Sequence, residues 1–123
     1  MKKALIIICA IFLILFSGCI LFSSLTKSDL ENIQNAEIDM NNVNDGEYDG
    51  HSELGPVVVD VRVVVRSHRI ENVELVRHDC GLGHGADIIV NRMVEQNTWN
   101  VDAISGATIS SEIIKNAVNK ALR

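Results

Sequence analysis

The sequence predicts an α+β fold in which a small antiparallel sheet packs against two amphipathic helices, after one N-terminal membrane segment. Three observations support this fold. Valine occupies every second position from 57 to 65, which is the period-two pattern of a half-buried strand. The stretches 86–94 and 110–122 repeat apolar residues at helical spacing. The N-terminal stretch 4–22 is uncharged and almost wholly apolar.

The apolar stretch Ala4–Phe22 predicts a membrane helix, because 19 residues rising about 1.5 Å each span roughly the hydrocarbon core of a bilayer. Lys2 and Lys3 precede it, so the positive-inside rule leaves the N-terminus in the cytoplasm and the remainder outside. The segment is either a retained single-pass anchor or a lipoprotein signal cut before Cys19. Phe16 fits the lipoprotein pattern imperfectly, which favours the uncut anchor. Both fates tether the domain to the membrane lipid on its extracytoplasmic side.

Composition divides the chain into a membrane anchor or signal at 1–22, a polar spacer at 23–44 and a domain at 45–123. Within the spacer, Ser28–Glu31 has capping-box spacing, so a short helix and a solvated tether are both compatible with it. The formal net charge of −5 gives no support for nucleic acid binding, which usually requires a basic face.

The start of the domain predicts three neighbouring strands. A turn at Asp45-Gly46 precedes a short edge strand at 47–52, and the valine-rich strand follows. A further extended run covers about 69–78 and is reached through Ser67-His68. Two strands joined by so short a connection must pair antiparallel.

A segment rich in small and hydroxyl residues lies just before the last helix, Asp102-Ala103-Ile104-Ser105-Gly106-Ala107-Thr108-Ile109-Ser110-Ser111. Thr108 stands where the helix is predicted to begin. The first N–H groups of a helix lack intrahelical acceptors and the macrodipole adds positive charge there, so this position favours an anion such as a phosphate. The alternative is that Thr108, Ser110 and Ser111 only cap the helix.

The pattern Ser-Gly-Ala-Thr-x-Ser, with an aspartate three residues before it, resembles the flavinylation motif of the FMN-binding domain family. The resemblance extends over Asp45–Arg123 in family order. The family includes a small subunit of sodium-pumping and electron-transport NADH oxidoreductases and many short membrane-anchored bacterial proteins. The resemblance implies that Thr108 carries FMN covalently through a phosphoester, which a separate flavin transferase forms from FAD.

The resemblance also implies a wider set of cofactor-binding residues. In the motif these are Asp102, Ser105, Gly106, Ala107, Ser110 and Ser111, and in the glycine-rich loop they are Gly81, Gly83 and Gly85. For Asp102, a role in positioning the incoming phosphate through a metal of the transferase and a role in a turn or cap both remain open. The glycines either pack near the flavin or serve a loop that needs flexible dihedrals.

The same loop matches two other patterns that we reject. Gly81-x-Gly83-x-x-Ala86 formally fits the dinucleotide fingerprint, but that fingerprint follows the first strand of a parallel βαβ unit, and an antiparallel hairpin is predicted here. Metal-capable side chains also cluster in this loop, at His78, Asp79, Cys80 and His84. A structural zinc site would require a second ligand pair, so we expect no metal site.

No catalytic triad or acid–base pair stands out, so no catalytic residue is predicted. We expect an electron carrier that accepts electrons from a membrane donor and passes them to a further redox acceptor. Two alternatives remain: a flavin reductase with its own small-molecule substrate, and a flavin-free surface sensor or adhesion domain.

Overall fold

The computed structural model describes the backbone of residues 1–79 and 83–123, and the side chains outside 15–29 and 83–84. This part of the chain divides into two compact units, Met1–Asn32 and Ile33–Arg123. The first unit consists of helix α1, Lys2–Glu31. The second contains, in chain order, a 3-10 helix at Met40–Asn42, strands β1 (Gly46–Leu54), β2 (Val57–Arg66) and β3 (Arg69–Asp79), a 3-10 helix at Gly83–Ile88, and helices α2 (Ile89–Gln96) and α3 (Thr108–Leu122).

Helix α1 continues past the predicted membrane segment and includes the capping-box stretch, so that stretch is helical. Its large apolar side chains between Leu5 and Ile14 are each at least 52% exposed. Residues 15–22 of the predicted segment, Cys19 among them, lie outside the described side chains. Across the residues that are described, no helix has both the length and the apolarity to cross a bilayer.

The described strands form an antiparallel sheet in the order β1-β2-β3, which confirms the predicted hairpin. The turn between β2 and β3 is tight, because Ser67 and His68 both adopt positive φ, at 52° and 58°. Positive φ at both central residues is the geometry of a two-residue hairpin turn that matches the strand twist. The His68 N–H donates to the carboxylate of Asp45 over 3.4 Å, and the His68 ring contacts the carbonyl oxygen of Val43.

One face of the sheet carries the core. The predicted valine face of β2 is buried at every position, namely Val57, Val59, Val61, Val63 and Val65. Helix α3 packs on β1 and β2, and helix α2 packs on β3 with Ile89 and Met93 buried. The result is the two-layer α+β arrangement that the sequence predicts, in which a half-apolar sheet buries its face against helices.

Register shifts in the β2–β3 pairing change which side chains of β3 face the core. Val61 pairs with Leu75 while Asp60 pairs with Arg77, so the intervening Val76 has no partner on β2. Val76 is 56% exposed as a result. A bulge of this kind re-aims the side chains of the bulged strand.

Helix α3 is buried on more of its surface than its apolar stripe indicates. Asn116 and Asn119 are buried, and their side chains bind the backbone of residues 34–36. Asn119 is paired twice with Ala36, because its Oδ1 accepts the Ala36 N–H over 3.0 Å and its Nδ2 donates to the Ala36 carbonyl over 2.7 Å. The compact C-terminal unit therefore begins at Ile33, inside the predicted spacer and before the predicted domain start at Asp45.

Candidate functional site

The segment between α2 and α3 is anchored at two points. Asn97 ends α2 in the left-handed conformation, with φ 53° and ψ 45°, and its side-chain oxygen accepts the Ile70 N–H over 2.8 Å. Val101 is buried in the core. Asp102, directly after it, is exposed. The chain therefore leaves the core after Val101, and the predicted motif begins at the surface with Asp102.

A tight turn follows at Ile104–Ala107. The Ala107 N–H donates to the Ile104 carbonyl over 3.0 Å, and Gly106 has φ +81°. A positive φ at the third residue of such a turn is the type II geometry, which favours glycine. A Cβ placed on Gly106 would meet nothing within 4 Å, so backbone conformation rather than crowding requires glycine here.

Ser111 closes this turn from the first turn of α3. Its hydroxyl donates to the Ala107 carbonyl over 2.7 Å and accepts the Ile104 N–H over 2.9 Å. The Ser111 backbone N–H also donates to the Ala107 carbonyl over 3.0 Å. Both ends of the turn are thus attached to one residue of the helix.

Thr108 is the first residue of α3 and is exposed. Ala107 occupies the N-cap position, and no side-chain hydrogen bond caps it within the described residues. The capping alternative concerned Thr108, Ser110 and Ser111, and of these the Ser111 hydroxyl bonds to the turn that precedes the helix. The first N–H groups of a helix without a side-chain cap are available to an anion, and the helix dipole favours one there. These observations fit a phosphate group at Thr108.

Accessibility separates the four hydroxyl residues of the motif. Ser110 and Ser111 are buried, at 4% and 0% exposure. Ser105 and Thr108 are exposed. Ser105 and Thr108 are therefore the hydroxyl residues of the motif that face solvent, and only Thr108 of these two lies on the helix.

The glycine-rich loop is described in part. Gly81 lies outside the described residues, while Gly83 and Gly85 belong to the 3-10 helix at Gly83–Ile88, which packs against α3. Gly85 is exposed, and a Cβ placed on it would meet nothing within 4 Å. The two predicted stretches thus lie on adjacent elements.

A contact that the sequence did not predict connects the end of β3 to this 3-10 helix. The Nδ1 atom of His78 is hydrogen-bonded to a carboxylate oxygen of Asp87, and the His78 side chain is almost fully buried. The sequence presented His78 only as one of several metal-capable residues. Asp87 lies within the predicted helical stretch 86–94, and nothing in the spacing of the two residues identifies the pair.

Arg62, a titratable group with a shifted pKa, lies away from the motif. On the solvent-facing side of the sheet, the hydrogen bond and the charge of Asp49 raise the pKa of Arg62 above its ordinary value. The Arg62 Nε donates to the Asp49 carboxylate over 3.1 Å. This exposed pair contributes to the polar outer face of the sheet rather than to the site.

Comparison with known proteins identifies the domain. The family model described as FMN-binding domain matches residues 54–123. A comparison with the curated proteins finds no match. The matched region begins in β1 and includes the hairpin, the described part of the glycine-rich loop and the complete Ser-Gly-Ala-Thr segment, which supports a role in flavin binding. The chain therefore belongs to the FMN-binding domain family.

Proposed function

We propose that the protein is a membrane-tethered, extracytoplasmic electron-transfer flavoprotein that carries FMN through a phosphoester to Thr108. The observation that supports this proposal most strongly is the exposure of Thr108 at the start of a helix whose N-cap, Ala107, has no side-chain cap. The hydroxyl is accessible to a phosphoryl donor, and the helix N-terminus favours the negative charge of the resulting phosphodiester.

The proposed attachment is a balanced phosphoryl transfer. The Thr108 oxygen Oγ1 forms a bond to the phosphorus of the FMN half of FAD, while the pyrophosphate bond of FAD breaks. AMP leaves, and the hydroxyl proton passes to a base of the flavin transferase or to solvent. No electron is exchanged in this step, so neither an oxidant nor a reductant is required.

Covalent attachment suits a protein that works outside the cytoplasm. Free FMN is scarce there, so a dissociable cofactor would be lost by mass action. FMN supplies the redox chemistry when bound, and the chain supplies its placement and the access of partners. The partners we propose are a membrane electron donor, a further redox acceptor and the flavin transferase.

The membrane tether is proposed from the first unit. Apolar side chains of α1 between Leu5 and Ile14 are exposed to the surroundings, and such a surface is favourable in lipid and unfavourable in water. Lys2 and Lys3 precede them and favour a cytoplasmic N-terminus. With either an uncut anchor or lipid attachment at Cys19, the domain would lie on the extracytoplasmic side of the membrane.

Co-production with a flavin transferase tests the proposal. We expect the full chain to give a fluorescent band on a denaturing gel when the transferase and FAD are present, and no fluorescent band without the transferase. A band that stays dark under both conditions would contradict covalent attachment and favour a flavin-free surface domain. Turnover of a small substrate by the purified flavoprotein, in the absence of a partner protein, would favour the reductase instead.

A further inference from the structure

The hydroxyl of Ser111 makes two hydrogen bonds to the turn that precedes Thr108. It donates to the Ala107 carbonyl over 2.7 Å and accepts the Ile104 N–H over 2.9 Å. Donor and acceptor are both engaged, and the side chain is 0% exposed. Ser111 is therefore directed into the protein rather than toward a ligand in solvent.

These two bonds fix both ends of the Ile104–Ala107 turn to α3. Ala107 is the residue directly before Thr108, so the position of the Ala107 carbonyl constrains the entry of the chain into the helix. Gly106 within the turn is exposed, and an added Cβ there would meet nothing within 4 Å. The turn's own hydrogen bond joins the Ala107 N–H to the Ile104 carbonyl, and Ser111 attaches these same two residues to α3.

We propose that Ser111 is a positioning residue for ester formation at Thr108, and that it holds the Ile104–Ala107 turn without contacting the phosphate. The inference rests on the proposed function, since it concerns the same attachment reaction. The resemblance implies that Ser111 is a cofactor-binding residue. The proposal instead assigns Ser111 to holding the Ile104–Ala107 turn from the protein interior.

The proposal predicts a kinetic effect. Removing the hydroxyl leaves the Ile104 N–H without its acceptor and removes one of the two hydrogen bonds to the Ala107 carbonyl. The Thr108 hydroxyl is then held less well for in-line attack. Misplacement of a reacting group by about 1 Å can slow a reaction on the order of a hundredfold. We expect the kcat of flavinylation to fall by roughly ten- to a hundredfold in Ser111→Ala, with the KM for FAD unchanged.

The experiment follows flavinylation of the full chain by in-gel fluorescence, with purified transferase and FAD. Ser111→Ala is compared with Asn119→Ala, which removes hydrogen bonds from a second fully buried side chain at the far end of the same helix. Amide exchange at Ile104 reports the loss of the local bond. We expect slow modification and fast Ile104 exchange in Ser111→Ala, and the wild-type rate in Asn119→Ala.

Ser111→Cys provides a second variant, because a thiol is a weaker donor and acceptor of similar shape. We expect it to react at a rate between those of wild type and Ser111→Ala. Wild-type kinetics in Ser111→Ala, or an equal slowing in Asn119→Ala, would overturn the positioning role while leaving the attachment at Thr108 intact. A wild-type chain that is never modified would overturn the proposed function together with this inference.

Discussion

Gly50 on β1 lies so close to Ala117 on α3 that a Cβ built on Gly50 would be 2.0 Å from the Ala117 carbonyl oxygen. The same Cβ would be 3.0 Å from the Cβ of Ala121. Two positions further along β1, the Ser52 hydroxyl donates to the Asn116 side-chain oxygen over 2.6 Å. Helix α3 therefore packs directly against the backbone of β1. This contact fixes the position of the helix that begins at Thr108.

The first prediction concerns this close contact. Gly50→Ala forces a methyl group against backbone atoms of α3 that cannot move independently, and we expect the free energy of unfolding to fall by about 1–3 kcal/mol or more. Urea unfolding of the full chain in detergent measures the change. Gly85→Ala is the matched control, since a Cβ there meets nothing within 4 Å and we expect little loss of stability. Equal midpoints for the two variants would contradict the packing described here.

The second prediction concerns the turn before Thr108. Gly106 has φ +81°, and a residue with a Cβ is disfavoured in that conformation by about 1–2 kcal/mol. We expect Gly106→Ala to lower both the unfolding free energy and the yield of flavinylation. Gly106→Asn should have a smaller effect, because asparagine tolerates positive φ better. Full flavinylation and full stability in Gly106→Ala would show that the turn geometry is unimportant for attachment.

The third prediction concerns the segment before the sheet. Asn119→Ala leaves the Ala36 N–H and carbonyl without their side-chain partners, and we expect a loss of about 1–3 kcal/mol in the free energy of unfolding. Hydrogen exchange at the Ala36 amide should become faster. The exposed neighbour Lys120 provides the control, because Lys120→Ala should change stability by less than about 0.5 kcal/mol. Unchanged exchange at Ala36 would mean that residues 34–36 do not dock on α3.

Local patterns were sufficient to predict the sheet and the helices. The alternating valines of β2 specify one buried face, and the brief Ser67-His68 connection allows only antiparallel pairing, so both predictions are confirmed. The helical stripe that predicts a helix from Ala86 is realised in two parts. Its first turns form the 3-10 helix at Gly83–Ile88, and the α-helical part begins at Ile89.

Features that depend on contacts distant in sequence could not be predicted. Val76 belongs to an extended run, yet a register shift against β2 turns it outward. Lys115 is a charged residue within the predicted helical stretch 110–122, yet it is buried beside Glu112, with 3.2 Å between its Nζ and a Glu112 carboxylate oxygen. Asn119 gave no signal as a docking residue, because its partner Ala36 is 83 positions away.

Only part of the site could be predicted. The motif predicted that a helix begins at Thr108, which the structure confirms, because residue types and their spacing are local properties. It could not show that Ser111 faces inward while Thr108 faces solvent, because this difference depends on how α3 packs against the sheet. Likewise, the pair of His78 and Asp87 forms only when the end of β3 meets the 3-10 helix.

Peptide mass mapping tests the attachment residue most directly. After co-production with a flavin transferase, trypsin releases one fragment between Arg92 and Lys115 that contains both exposed hydroxyl residues, Ser105 and Thr108, so fragmentation must assign the adduct. We predict FMN on Thr108 in the wild-type chain, its retention in Ser105→Ala and its loss in Thr108→Val. A fragment carrying FMN on Ser105, or an adduct that persists in Thr108→Val, would contradict the account.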